Sequence, residues 1–188
     1  MKLAIMVLGM TVLSSAGASA QIVVSQGSGP GQDCYIHARF GLDPVDGVKN
    51  CTIALGQALS ASDRAATYDN RGIILNQQGR FDDALSDFDH AITLRPDLGD
   101  AYINMGSVLI RKKSYEEALA RINKGMELGA SFPHIGYYDR ALALELLGRY
   151  KEAYYDYKKA LEIEPGFTLA SDRLKDFVVT TVPAKPSG

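Results

Sequence analysis

Three stretches of this chain are copies of one another, and that constrains its fold more than any other feature. Tyr68-Asp69-Asn70-Arg71-Gly72 and the later Gln78-Gly79-Arg80-Phe81-Asp82-Asp83-Ala84 return 69 residues on as Tyr137 to Ala141 and Leu147-Gly148-Arg149-Tyr150-Lys151-Glu152-Ala153. A middle copy, with Tyr102, Gly106 and Tyr115-Glu116-Glu117-Ala118, stands 34 residues after the first and 35 before the last. The unit is therefore 34 residues, with one residue inserted near Ser131-Phe132-Pro133. A period of this length marks a stacked array of one supersecondary unit, in which no unit can bury its apolar face alone.

Each unit reads as two helices. Tyr68, Gly72 and Leu75 fall at spacings of four and three, one face of a helix over about 64–78. Gly79 ends it, because a chain that must turn left-handed there favours glycine. A second helix starts at Asp82, turns Ala84, Phe88, Ala91 and Ile92 inward and stops at Pro96. Gly72 opposite Ala84 and Ala91 lets the two helices approach closely, while Tyr68, Leu75, Phe81 and Phe88 fill the remaining space.

These residues resemble the tetratricopeptide repeat. Tyr68, Gly72, Ala84, Phe88, Ala91 and Pro96, then Tyr137, Ala141, Ala153, Tyr157, Ala160 and Pro165, follow its pattern of aromatic, small and closing proline positions. The middle copy keeps Tyr102, Gly106, Leu109 and Ala118. It departs at Ile122, Gly125 and Ala130, and Lys113 replaces the turn glycine, which points to a loosened joint between copies two and three. The resemblance implies an all-α, right-handed superhelical array of three hairpins: repeat 1 over 65–98, repeat 2 over 99–133 and repeat 3 over 134–167.

The flanks read as caps. Cys51, Leu55, Ala58 and Leu59 align with Ala84, Phe88, Ala91 and Ile92, so residues 33–64 form a degenerate half-repeat whose first helix is the stub Asp33 to Phe40. Residues 168–177, with Leu169, Leu174 and Phe177 among charges, make an amphipathic capping helix, and 178–188 a loose tail. Residues 1–20 have the layout of a secretion signal, with Lys2, an apolar run to Leu13 and small residues ending at Ala20; 21–32 is a Gly/Ser-rich leader. The expected product is periplasmic or secreted, and the apolar run is short of the roughly 20 residues of a membrane span. Two cysteines in an exported chain read as a Cys34–Cys51 disulfide, which stabilises by about 3 kcal/mol and fastens the stub to the array. The competing reading is a metal site at Cys34, His37 and Cys51, with only three ligands.

Without Lys2 the chain carries 19 basic against 22 acidic residues, which argues against nucleic acid or an anionic membrane as partner. The three histidines are scattered, no catalytic or phosphate-binding motif occurs, and acidic pairs such as Asp82-Asp83 sit where the helix dipole favours them. The expectation is a non-catalytic scaffold without cofactor. What remains is the concave face, where the resemblance implies that a peptide or partner helix lies. Its facing residues are expected to be Asp69, Asn70, Ile73 and Asn76, then Ile103, Asn104, Ser107 and Arg111, then Tyr138, Asp139 and Leu142. The acidic Asp69 and Asp139 imply a neutral to cationic ligand with apolar residues, and disfavour a carboxylate-ended chaperone tail. The alternative is an envelope component that self-associates through its outer faces; the oligomeric state stays open.

Overall fold

The computed structural model describes residues 29–177; the expected signal segment, the leader up to Ser28 and the tail 178–188 lie outside them. Nine helices and no strand occur among the described residues: α1 (Pro30–Phe40), α2 (Pro44–Leu55), α3 (Ala61–Gln77), α4 (Phe81–Leu94), α5 (Gly99–Arg111), α6 (Tyr115–Glu127), α7 (Pro133–Leu146), α8 (Tyr150–Ile163) and α9 (Thr168–Leu174). Local chemistry sets the ends. Asp43 caps α2, accepting from the Val45 and Asp46 N–H groups at 2.8 and 3.2 Å, with Pro44 pre-set in the first turn. Ser60 accepts from the Asp63 N–H at 3.1 Å and starts α3 four residues ahead of the boundary read from the repeat. Helix α1 likewise begins at Pro30, inside the expected leader, and Gly56 ends α2 before Leu59.

Helices α3–α4, α5–α6 and α7–α8 pair as antiparallel hairpins, with α5 touching both α3 and α7 in an inner layer. Ahead of them α1 and α2 pack as a fourth helical pair, and α9 covers the last hairpin. One core runs through the stack from Leu75 and Phe88 through Met105, Val108 and Ile122 to Ala143; a second, around Ala141, Tyr157 and Ala160, continues under α9. Small residues make the close approaches: a Cβ on Gly72 would lie 2.6 Å from the Phe88 ring.

The inter-helix turns use the left-handed region at Gly79, Gly129 and Gly148, with φ of +76°, +80° and +75°. Lys113 adopts φ of +64° in the middle copy, so the turn survives with a side chain that disfavours it. The expected loosening beyond it does not occur. Gly125 and Gly99 meet backbone to backbone, and a Cβ on Gly136 would lie 2.9 Å from Ile103 Cδ1 and 3.1 Å from Met126 Cγ. The departures from the repeat pattern are thus small residues fitted to tight contacts.

Cys34 and Cys51 are bonded, with Cα atoms 4.6 Å apart, and both are fully buried beside Ile74. That pairing leaves no metal site there, and His37 instead sets Nδ1 2.8 Å from the Asp43 carbonyl. Among the described residues no helix is long and apolar enough to cross a membrane.

Candidate functional site

The inner helices enclose a cleft of about 420 Å³. Its floor is α3 and α5, contributing Ala66, Asp69, Asn70 and Ile73, then Ile103 and Asn104. One wall is α1, through Tyr35, Ala38 and Arg39. The opposite wall is the α6–α7 connection, with Ser131 and Phe132, and Ile135 of α7. The α4–α5 connection closes one end with Arg95, Asp97 and Leu98. The guanidinium of Arg39 lies 5.0 Å from the Phe132 ring centroid, so the two walls meet over the cleft. A second depression of about 440 Å³, between α8 and α9, is open to solvent at the end of the array and gathers residues from one edge only.

Five residues assigned to the groove from sequence line this cleft: Asp69, Asn70, Ile73, Ile103 and Asn104. The other six are committed to packing or to each other. Arg111 Nη1 donates to the Asn76 carbonyl at 2.5 Å and to its Oδ1 at 2.9 Å, with the guanidinium over the Phe81 ring. Tyr138 packs against Tyr157 and Phe167, centroids 5.7 and 5.3 Å away, and Leu142 leans on the central core. Ser107 faces Asp139, which is buried between α5 and α7.

The two carboxylates require a correction. The sequence places Asp69 and Asp139 in the groove as charges that favour a neutral to cationic ligand, whereas in the fold they are 9% and 7% exposed. Burial pushes the Asp69 carboxyl up to about 7, the Asn104 amide, donating from Nδ2 at 3.0 Å, pulls it back, and the charge of Asp100 adds to the rise. Burial lifts Asp139 to about 7 as well, against the opposing Ser107 hydroxyl. Near neutral pH each group is partly protonated, which removes the electrostatic reason for a cationic ligand. A charge reversal at either position tests burial and not the groove.

Sequence reasoning missed several features. Arg71 makes a two-point ion pair with Asp87, at 2.7 and 2.8 Å, and Arg140 repeats it with Asp156 at the same distances. Self-comparison could have found these pairs, since all four residues recur at the 69-residue offset while Met105 and Arg121 occupy the places in the middle copy. The α1 wall, by contrast, had no signal, because a short helix with few apolar residues looks the same whether it caps a stack or borders a cleft. Nor did the clasp of Asp100, which accepts from the Ser131 N–H and hydroxyl at 2.9 and 2.6 Å and fixes the α6–α7 connection.

Chemically the cleft offers apolar side chains beside amides and hydroxyls. Among the described residues no group of three His, Cys, Asp or Glu side chains converges as a metal site.

Comparison with known proteins agrees with this architecture. Profiles described as tetratricopeptide repeat match residues 63–131 and 134–167. A DnaJ homolog subfamily C member 7 homolog of Schizosaccharomyces pombe is 32% identical over 99 residues, covering 50% of this chain and 21% of the relative. A lipoprotein NlpI homolog of Haemophilus influenzae is 26% identical over 110 residues, covering 58% of this chain and 35% of the relative. The chain thus spans well under half of the length of either. Among solved structures, the first repeat domain of Spaghetti (RPAP3) bound to the HSP90 peptide SRMEEVD superposes with a TM-score of 0.57 at 25% identity, covering 61% of this chain and 90% of that one.

Proposed function

Since the chain belongs to the tetratricopeptide repeat family, whose superhelical arrays are non-catalytic protein-interaction scaffolds, we propose that its concave cleft holds an extended segment of a partner protein. One observation carries this reading. The cleft sets Ile73, Ile103 and Ile135 beside Asn70, an arrangement that receives apolar side chains while an amide pairs with the peptide backbone. Similarity to a repeat domain solved with a peptide bound supports the same use of this fold. The segment is partly apolar and needs no basic residues, since the buried carboxylates no longer ask for cations.

The setting we infer is the periplasm. The layout of residues 1–20 supports it, as does a cysteine pair joined in a buried disulfide, a bond that persists in oxidising compartments. Mass spectrometry of the protein purified from the periplasm of an expressing bacterium should show a chain starting at Gln21; retention of residues 1–20 in a cytoplasmic fraction refutes it.

The cleft is tested by selecting random peptides, displayed internally in a carrier protein, against the full chain and an Ala66→Trp variant. Ala66 is half-buried on the cleft floor, so the indole fills the site from within. Binders retained by the native protein and lost on an equally stable, equally helical variant are expected. Binders indifferent to the substitution place recognition elsewhere.

A second reading, self-association, has its own observation. Phe40, Leu42 and Val45 are 67%, 47% and 71% exposed around the α1–α2 turn. Concentration-dependent mass without any added peptide, abolished by Phe40→Ser/Val45→Ser, would favour it.

A further inference from the structure

Five ionic side chains line the cleft, and four are answered within the fold. Arg95 pairs with Asp97, Nε and Nη2 donating at 3.3 and 3.4 Å. Asp100 spends both oxygens on Ser131. Asp69 accepts from Asn104 on the buried floor. Arg39 is different: among the described residues no carboxylate lies within ion-pair distance of it, and its guanidinium lies instead over the Phe132 ring. All 22 acidic side chains of the sequence fall within residues 29–177.

The geometry suits a particular guest. A guanidinium attracted to a ring makes no hydrogen bond to it, so its N–H donors remain for a guest, and paired donors match the two oxygens of a carboxylate. The contact with Phe132 also restrains a long side chain in advance, which lowers the entropic cost of using it. Arg39 is exposed at the mouth, above a floor where Ile103 is 3% and Asp69 9% exposed. It therefore meets a side chain that rises from a segment lying along α3 and α5.

We infer that Arg39, held against Phe132, receives the side-chain carboxylate of the bound segment, so that the occupant of the cleft is an extended peptide with one Asp or Glu among apolar residues. This rests on the reading of the cleft as a peptide groove, and it assigns the N-terminal helix a part in recognition beyond capping the stack.

The peptide selection described above distinguishes the two. The expected consensus holds one acidic position among apolar ones. A synthetic peptide of that sequence, acetylated and amidated at its ends, should lose about tenfold in affinity when the acid is changed to its amide. The loss should shrink as salt rises from low to high. Arg39→Gln should weaken the acidic peptide by a similar factor and be indifferent to the amide, so that the two changes together cost no more than either alone. Arg39→Lys should restore part of the loss, since it keeps the charge without the paired donors. A consensus without an acid, or an equal preference for the acidic peptide in Arg39→Gln, overturns the inference while leaving the cleft reading intact. So does binding that requires a free C-terminal carboxylate. Failure to enrich any peptide sensitive to Ala66→Trp refutes the cleft reading and this inference with it.

Discussion

Asp69 on α3 and Asp139 on α7 are both buried, and that burial makes the stability of the array fall as pH rises. Each carboxyl titrates near 7 in the folded chain against about 3.9 when unfolded. Between those values the folded state holds more protons than the unfolded one, so stability declines from about pH 4 to about pH 8. The full shift corresponds to about 4 kcal/mol for each group once ionised, at 1.36 kcal/mol per unit. An amide keeps the shape and removes the charge, and at Asp69 its oxygen can still accept the Asn104 amide proton. Asp69→Asn/Asp139→Asn should therefore match the native chain near pH 4 and exceed it at pH 8. At roughly 2–4 °C per kcal/mol for a domain of this size, each site should contribute about 10 °C to that difference. Thermal melts of both proteins followed by circular dichroism across pH 4–8 measure it. Parallel slopes, or a variant less stable than the native chain at pH 8, would refute the claim that burial governs these two groups.

Other outcomes follow from single features of the stack. Lys113→Gly should raise unfolding free energy by about 1 kcal/mol, because it relieves a left-handed residue at the cost of some unfolded-state entropy, and denaturant melts should show it. Asp87→Ala strands the half-buried Arg71 and should cost about 2–3 kcal/mol, whereas Arg71→Met/Asp87→Leu, which removes both charges, should cost much less; chemical denaturation of the three proteins separates these cases. Cys34→Ala/Cys51→Ala should lower stability by about 3 kcal/mol on the chain-entropy account, and faster amide exchange confined to α1 and α2 should show that the loss is local.

The period, the helix pairs and most of the core were open to reading in the chain alone. Gly72, Phe88 and Tyr157 declare themselves because helix spacing and a 34-residue repeat are local regularities, and every copy reports the same contacts. Where the middle copy broke the pattern at Lys113 and Gly125, the break was visible and its meaning was not. The turn is held by its neighbours, and Gly125 is small because Gly99 lies against it. The groove was legible only in its first half. One residue along a helix is a rotation of about 100°, so whether Asp69 or Asn70 faces a ligand depends on the angle at which α5 packs beside α3. The same angles, accumulated over the hairpins, bring Arg39 of α1 over Phe132 more than ninety residues later. Sequence determined that this chain stacks helical hairpins. Tertiary packing alone decided which of their inward residues meet one another, and which still face the cleft, because that choice is made by the sum of the crossing angles and by no local stretch of residues.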